Sequence, residues 1–522
     1  MSTAATKGPN YGDVIVEALT RYPTRDAFVL GDRRVTYAES ADLTSRIRQV
    51  LVNLGIRPGR GVGILSPNAP EVFLVQAATF LSGARYSGLH PLGSIDDHVF
   101  LCDDAEIEVL IVHPKFAETG AAVAQKSASI RHLLSLGPAD IEHDLLQMCT
   151  KVASSRLRAL QVDEDETAWL QYTGGTTGVP KGVMLSHRAL VQEVQSLTSS
   201  WGLPESPRYL ASSPITHAAV LPIVPTLARG GTVILQQGFD PEAWLDAVVK
   251  EHANYAFVVP TMLYTMLDKM DVAAADTSAL ETLVYGAAPM STPRIEEAQK
   301  AFGPILTQVY GQTECLGMST SLRKDEHDVV NRPDLLTSCG RPVAGVHVEL
   351  LDEDGQPVPD GEVGEISVRS RAVMNGYWKR DEETAESLSD GWLRTSDMAV
   401  RDDGGFFHMV DRRKDMIVTG GFNVYPKEIE DVLTSVETVS AAAVIGVPDD
   451  KWGEQVTAFV VARPGSTIDT AALTALVREK KGAHQVPKHV EIVSELPLTA
   501  VGKIDKKVLR AAHWSSAGRQ VN

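Results

Sequence analysis

The stretch LQYTGGTTGVPKGVML, residues 170 to 185, sets glycines, threonines and a single lysine between two apolar flanks. Glycine leaves backbone amides unshielded and free to take positive φ, while Thr173, Thr176 and Thr177 add hydroxyl donors. A loop of this kind presents a concave array of donors to an anion, and phosphate is the guest such chemistry suits. The spacing is not that of GxxxxGK[ST], because Lys181 follows a proline and precedes Gly182. An exposed turn accounts for a Gly/Thr-rich loop equally well, so the rest of the chain has to decide.

The elements that must position this loop read as α/β layers. GVGILS leads into a helical PEVFLVQAATFLSGA and on to EVLIVH, and GTVILQQ leads through FDPEAWLDAVVKEHA to YAFVVP. In the second unit Asp240 is the expected cap, Pro241 the first helical residue, and Trp244, Leu245, Val248 and Val249 the inward stripe. Such alternation implies mostly parallel strands covered by helices. From about Gly340 the texture changes: HVELLDEDGQPVPDGEVGEISVRS reads as short strands joined by Asp-Gly turns. After HMVDRRKDMIV comes a compact α+β tail, with YPKEIEDVLTSV and DTAALTALVREKKG as helices and AAAVIGV and VTAFVVA as strands.

At 522 residues the chain is expected to hold at least two folding units, and 43% apolar with 22% charged residues is ordinary globular composition. A net charge of −18 argues against a nucleic-acid surface or a basic membrane patch, so a polyanionic ligand must be held by local donors. Cys102, Cys149, Cys315 and Cys339 are too scattered for a disulfide scaffold or a zinc site, which points to a reduced, cytoplasmic setting. No leader is expected in MSTAATKGPN, and EVFLVQAATFLSGA is too short and interrupted to span a bilayer.

The ordered series YTGGTTGVPKG, PITHAAV, VYGAAPM, YGQTE, GWLRTSD, VDRRKDMIVTGGFNVYPKEIE and LPLTAVGKIDKK resembles the AMP-forming adenylating enzymes, which include acyl-CoA synthetases, luciferases and the adenylation domains of peptide synthetases. The resemblance implies an α/β fold. Its large N-terminal domain of mixed and parallel β-sheets flanked by helices, with a small β-barrel-like subdomain, would span residues 1–411. A hinge would occupy 412–416, and a small mobile α+β C-terminal domain carrying the catalytic lysine 417–522. It also implies a reaction in which a carboxylate joins the α-phosphorus of ATP, releasing pyrophosphate and leaving an acyl adenylate.

By the same resemblance Thr173, Gly174, Gly175, Thr176, Thr177 and Lys181 hold the β and γ phosphates. Glu314 ligates Mg2+, a hard cation that takes oxygen ligands. Thr313 reaches the α-phosphate, Tyr310 stacks against adenine, Gly311 belongs to the ATP site, and Gly286, Ala287 and Ala288 let base and acid approach the backbone. Asp397 accepts from the ribose hydroxyls with Arg412 assisting; the family usually has glycine where Ser396 stands, which leaves the local loop geometry open. Lys503 offsets charge between carboxylate and α-phosphate, whereas Lys506 and Lys507 read as exposed lysines. The hinge aligns with Lys414, with Asp415 as the alternative, and Gly420, Gly421 and Asn423 line the acceptor channel.

Adenylation domains that select α-amino acids carry an aspartate in the region of PITHAAV, where this chain has His217, Ala218 and Ala219 and no carboxylate. A buried amine would lack a counter-charge, so the implied acid has an uncharged acyl or aryl body. His217, Ala218, Ala219, Tyr285 and Ala288 are its expected pocket, with Tyr285 narrowing it. The acceptor is coenzyme A, or an amine in a smaller branch of the family, and a monomer or homodimer fits either.

Overall fold

The computed structural model describes residues 9–173, 180–412, 415–419, 422–449, 452–499 and 503–514. The largest sheet has nine strands, running in order from Arg341–Pro342 through Thr320–Leu322, Leu306–Tyr310, Thr282–Gly286, Tyr255–Val258, Arg208–Ala211, Thr232–Leu235 and Asp26–Leu30 to Arg33–Thr36. Its pairs from Leu306–Tyr310 across to Asp26–Leu30 are parallel; the two pairs beyond Leu306–Tyr310 and the one beyond Asp26–Leu30 are antiparallel. A second sheet of seven strands is parallel until its last pair, Thr167–Thr173 with Lys181–Ser186.

One helix shows how the two sheets come to share a core. Pro70–Leu81 is apolar on every side, and all of its residues are buried. Phe73 meets Phe28 of the large sheet at 5.7 Å between ring centroids, and Phe80 meets Tyr86 of the second sheet at 5.9 Å. A helix lying between sheets has no solvent face, so the usual polar stripe is missing from its sequence.

Helix Pro241–Glu251 forms as its sequence predicts at the start: the Asp240 side chain accepts from the Ala243 amide, and proline occupies the first turn. Trp244, Leu245 and Val248 are buried. Val249, expected in the same stripe, is instead 42% exposed, because each helical residue turns about 100° and Val249 swings off the face that Val248 occupies.

The β-rich segment is a five-stranded antiparallel sheet built on Val346–Leu351, Val363–Ser370 and Trp392–Arg401, extended by Phe407–Arg412. It is an open sheet rather than a closed barrel among the described residues. The chain leaves it at Arg412 and enters another sheet at Ile417, where Ile417–Thr419, Gly453–Ala462, Val439–Asp449 and His489–Val493 pair. Helices Pro426–Thr434 and Thr470–Lys481 accompany it, and Ile417, Ile429, Leu433, Val444, Val456 and Val477 form a core of their own. Among the described residues no helix is long and apolar enough to cross a membrane.

Candidate active site

The large sheet and the antiparallel sheet meet at Asp397. Opposite Ile366 the strand Trp392–Arg401 carries extra residues, since Glu365 pairs with Met398 and Ser367 with Arg394. This bulge re-aims the side chains it contains. Ser396 sits in it with φ +60°, a left-handed conformation that favours glycine, and its N–H donates to Glu365 Oε1 at 2.7 Å. The loop geometry left open by a serine in place of glycine is thereby answered: the backbone keeps the left-handed turn and a carboxylate secures it.

Asp397, only 2% exposed, accepts from Tyr310 Oη at 2.7 Å and from Gln312 Nε2 at 2.8 Å. Gln312 also donates to the Thr395 carbonyl at 2.7 Å. Burial, with the Asp397 charge beside it, drives the Tyr310 phenol well above its ordinary pKa, so it stays a donor. Arg412 is the residue paired with Asp397 across the sheet. Gly311 admits no side chain: an added Cβ would stand 2.4 Å from the Gly317 carbonyl carbon.

Thr173 and Lys181 are cross-strand partners, so they close the base of the segment between them. Gly174, Gly175, Thr176 and Thr177 lie outside the described residues. Lys181 Nζ stands 5.2 Å from the Tyr377 ring centroid and 3.8 Å from Glu383 Oε1. Tyr377 in turn donates to Glu314 Oε1 at 2.8 Å, while the Glu314 carbonyl accepts from the Met374 amide at 2.8 Å. Thr313 and Glu314 share the 3-10 turn Thr313–Cys315. One carboxylate oriented by a phenol suits a magnesium ion that takes its other ligands from phosphate and water. Among the described residues no group of three or more His, Cys, Asp or Glu offers a protein cage.

At the third corner His217 precedes a short 3-10 turn, Ala218–Val220. Its Nδ1 lies 2.9 Å from Thr216 Oγ1, and its ring meets that of His90 edge-on at 4.9 Å. Burial, with His90 beside it, pushes the His217 pKa down to about 3, so the imidazole is neutral near pH 7. Ala219 is buried and Ala218 exposed. Gly286 ends its strand where an added Cβ would stand 2.5 Å from the Val309 carbonyl oxygen. Ala287 follows with φ +68° and Ala288 is half-buried; a left-handed alanine at a strand end is backbone strain of the kind that clusters at functional sites.

Tyr285 is a correction. It was expected to narrow the acid pocket, but it turns to the opposite face of the sheet from Val284 and packs among Trp244, Met262 and Ile295. Its hydroxyl lies 3.1 Å from His327 Nε2. Strand residues alternate between faces, so a tyrosine next to Val284 lies on the other face of the sheet.

Lys503 lies in a turn closed by its own backbone: the Thr499 amide donates to the Lys503 carbonyl at 2.7 Å, and the Lys503 amide to Thr499 Oγ1 at 3.1 Å. Lys506 departs from its expected exposure, since it is partly buried and lies 2.6 Å from Glu430 Oε1. Lys414, Gly420 and Gly421 fall outside the described residues, and Asn423 belongs to the strand Phe422–Val424. Sequence reasoning missed His90, Gln312 and Tyr377. Gln312 lay inside a recognised motif and was legible as a polar neighbour; His90 and Tyr377 carried no local signal.

The family model described as AMP-binding enzyme matches residues 15–378, and that of the AMP-binding enzyme C-terminal domain matches residues 428–503. The medium/long-chain-fatty-acid–CoA ligase FadD8 of Mycobacterium tuberculosis is 41% identical over 524 residues, covering 98% of this chain and 91% of its own. A feruloyl-CoA synthase from an Amycolatopsis species is 38% identical over 482 residues, 92% of this chain and 94% of its own. Among solved structures, the amide bond synthetase McbA from Marinactinospora thermotolerans matches with a TM-score of 0.89 at 34% identity, covering 96% of this chain and 99% of that one.

Proposed function

The chain belongs to the AMP-binding enzyme family, and from that premise we propose that it is an ATP-dependent acid:CoA ligase. A carboxylate oxygen attacks the α-phosphorus of ATP, the bond to the bridging oxygen breaks, and pyrophosphate leaves. The thiol sulfur of coenzyme A then attacks the acyl carbon, and AMP leaves with the bonding pair. The observation that carries this reading is the meeting, at the buried Asp397 carboxylate of the antiparallel sheet, of Tyr310 from the end of a large-sheet strand and Gln312 from the segment just after it.

In this reading Asp397 accepts the two ribose hydroxyls, for which Tyr310 and Gln312 hold it ready, and Arg412 assists. Lys181, Thr173 and the residues between them bind the β and γ phosphates, and Thr313 the α-phosphate. Glu314 would hold Mg2+, which supplies charge neutralisation at the phosphates. Neutral His217 has no charge with which to attract the carboxylate, so it orients that group rather than neutralising it. Charge offset falls to Lys503, an ammonium brought between two anions. Lys414 serves as the pivot by which Lys503 withdraws, and Gly420, Gly421 and Asn423 line the thiol's path. Four reduced cysteines, all buried, fit a cytoplasmic setting.

The test is pyrophosphate release across fatty, aromatic and branched acids with magnesium ATP, run with no acceptor, with coenzyme A, and with amines. Coenzyme-dependent turnover with a thioester product is expected. Turnover driven by amines alone would replace this reading with an amide synthetase, the activity named for McbA.

A further inference from the structure

The segment that delivers His217 is clamped from the second sheet at three points. Asn68 Nδ2 donates to the Ser213 carbonyl at 2.8 Å, and Asn68 Oδ1 accepts from the Ile215 amide at 2.8 Å. The strand Arg85–Gly88 ends against the residue that follows, since a Cβ added at Gly88 would stand 2.7 Å from the Thr216 carbonyl oxygen and 2.8 Å from the Thr216 Cβ. Two residues further on, His90 meets the His217 ring edge-on, with centroids 4.9 Å apart and planes at 74°. Asn68 and His90 lie just past the ends of two neighbouring parallel strands, Gly61–Leu65 and Arg85–Gly88, so one edge of that sheet supplies the whole clamp.

His90 is itself held in place. The Leu92 amide donates to His90 Nδ1 at 3.2 Å and the Gly93 amide to the His90 carbonyl at 2.9 Å, which closes a tight turn. Gly93 lets that turn lie against the buried His98, because an added Cβ would stand 2.6 Å from His98 Cε1. The His217 side chain is tied differently: among the described residues its one hydrogen-bond partner is the hydroxyl of the adjacent Thr216, at 2.9 Å. A bond to the adjacent residue does not fix the ring relative to any other element, and the contact with His90 does. Burial lowers the pKa of both imidazoles, so near pH 7 the two rings meet without charge repulsion.

We propose that His90 is a positioning residue for adenylate formation: through the ring contact it holds the His217 imidazole in the orientation that sets the carboxylate of the acid against the α-phosphorus. This rests on the acid-activating reading above. A neutral His217 contributes direction and not charge, so its work depends on where the ring stands, and an ångström of misplacement at a reacting centre costs up to about 10²-fold in rate. In that reading ATP is held elsewhere, at Asp397 and Lys181, and its binding does not depend on the ring.

The experiment follows pyrophosphate exchange into ATP, with magnesium and the best acid of the panel above, for wild type, His90→Ala, His90→Phe, His217→Ala and the double variant His90→Ala/His217→Ala. His90→Ala is expected to lower kcat about tenfold or more while the KM for ATP stays within about twofold of wild type. His90→Phe, which keeps a ring in the same place, retains most of the wild-type rate. In the His217→Ala background the change at His90 costs nothing further, because residues that act as a unit are not additive. An equal factor in both backgrounds, or a KM for ATP that moves with kcat, makes His90 merely structural; it overturns the proposal and leaves the ligase reading standing. Should His217→Ala fall below detection, a His90→Phe enzyme no faster than His90→Ala overturns it in the same way. Should His90→Ala fail to fold, His90→Asn takes its place, since it lacks the ring and still offers the Leu92 amide an acceptor. Wild-type enzyme that exchanges pyrophosphate with no acid overturns both readings.

Discussion

The corner that holds Asp397 and the turn that holds Lys503 are built on opposite plans. Asp397 accepts from Tyr310, the last residue of a strand in a different sheet, and from Gln312 just beyond it, and its backbone is aimed by a bulge with a left-handed serine. The Lys503 backbone is bonded to Thr499, four residues away, in both directions. In the proposed reading Asp397 takes the ribose, and a group with that task gains from being fixed before the nucleotide arrives. In the same reading Lys503 is required only while two anions approach, and a local scaffold would keep its backbone geometry wherever the larger unit stood.

The largest test of this contrast is Lys503→Ala. Adenylate formation should fall by about 10²–10³-fold or more, while transfer from a supplied acyl adenylate to coenzyme A stays within about threefold of wild type. Separate assays of pyrophosphate release and thioester formation check it, and equal loss of both steps would break the contrast.

Asp397→Ala removes the pre-bonded acceptor and should weaken ATP binding by about 10–100-fold, the worth of hydrogen bonds to a charged group. Titration calorimetry with ATP decides it; unchanged affinity would sink the ribose assignment. Gln312→Ala should cost less, because Tyr310 still donates.

His217 sharpens the comparison as a third case, a group held by burial. Its pKa is about 3 when folded, against about 6.5 for an unfolded histidine. Between those values the unfolded chain binds the proton and the folded one does not, so this share of stability is complete above about pH 6.5 and declines as the pH falls toward 3. Urea melts of His217→Asn should show a shallower loss between pH 6.5 and 4 than wild type, and parallel profiles would remove His217 from the account.

The smallest effect is expected from Ser396→Gly. Glycine relieves the left-handed strain but gains unfolded-state freedom, so stability should move by no more than about 1 kcal/mol and ATP affinity not at all. A marked fall in affinity would mean that the serine hydroxyl, and not the turn, serves the nucleotide.

Much of this was legible beforehand. The cap at Asp240, the strands of the β-rich segment and the alternation of strand and helix follow from local chemistry, and the motifs named Asp397, Glu314 and Lys503 by their neighbours. Two readings failed for one reason: Val249 was assigned to the face of Val248 and Tyr285 to the pocket side of its strand, when a single step along a helix or strand changes the face. Others were invisible. His90 meets His217 and Tyr377 meets Glu314 only because segments distant in the chain become neighbours in the fold.

By itself the sequence determined which segments read as helices and strands and where helices such as Pro241–Glu251 were capped, because these depend on periodicity and on chemistry within a few residues. Only the tertiary structure decided that Tyr285 leaves the pocket and that Gln312 and Tyr310 both reach Asp397. Those outcomes depend on sheet order and on the face each residue presents to another element, and a contact between distant segments leaves no mark on the local pattern of either.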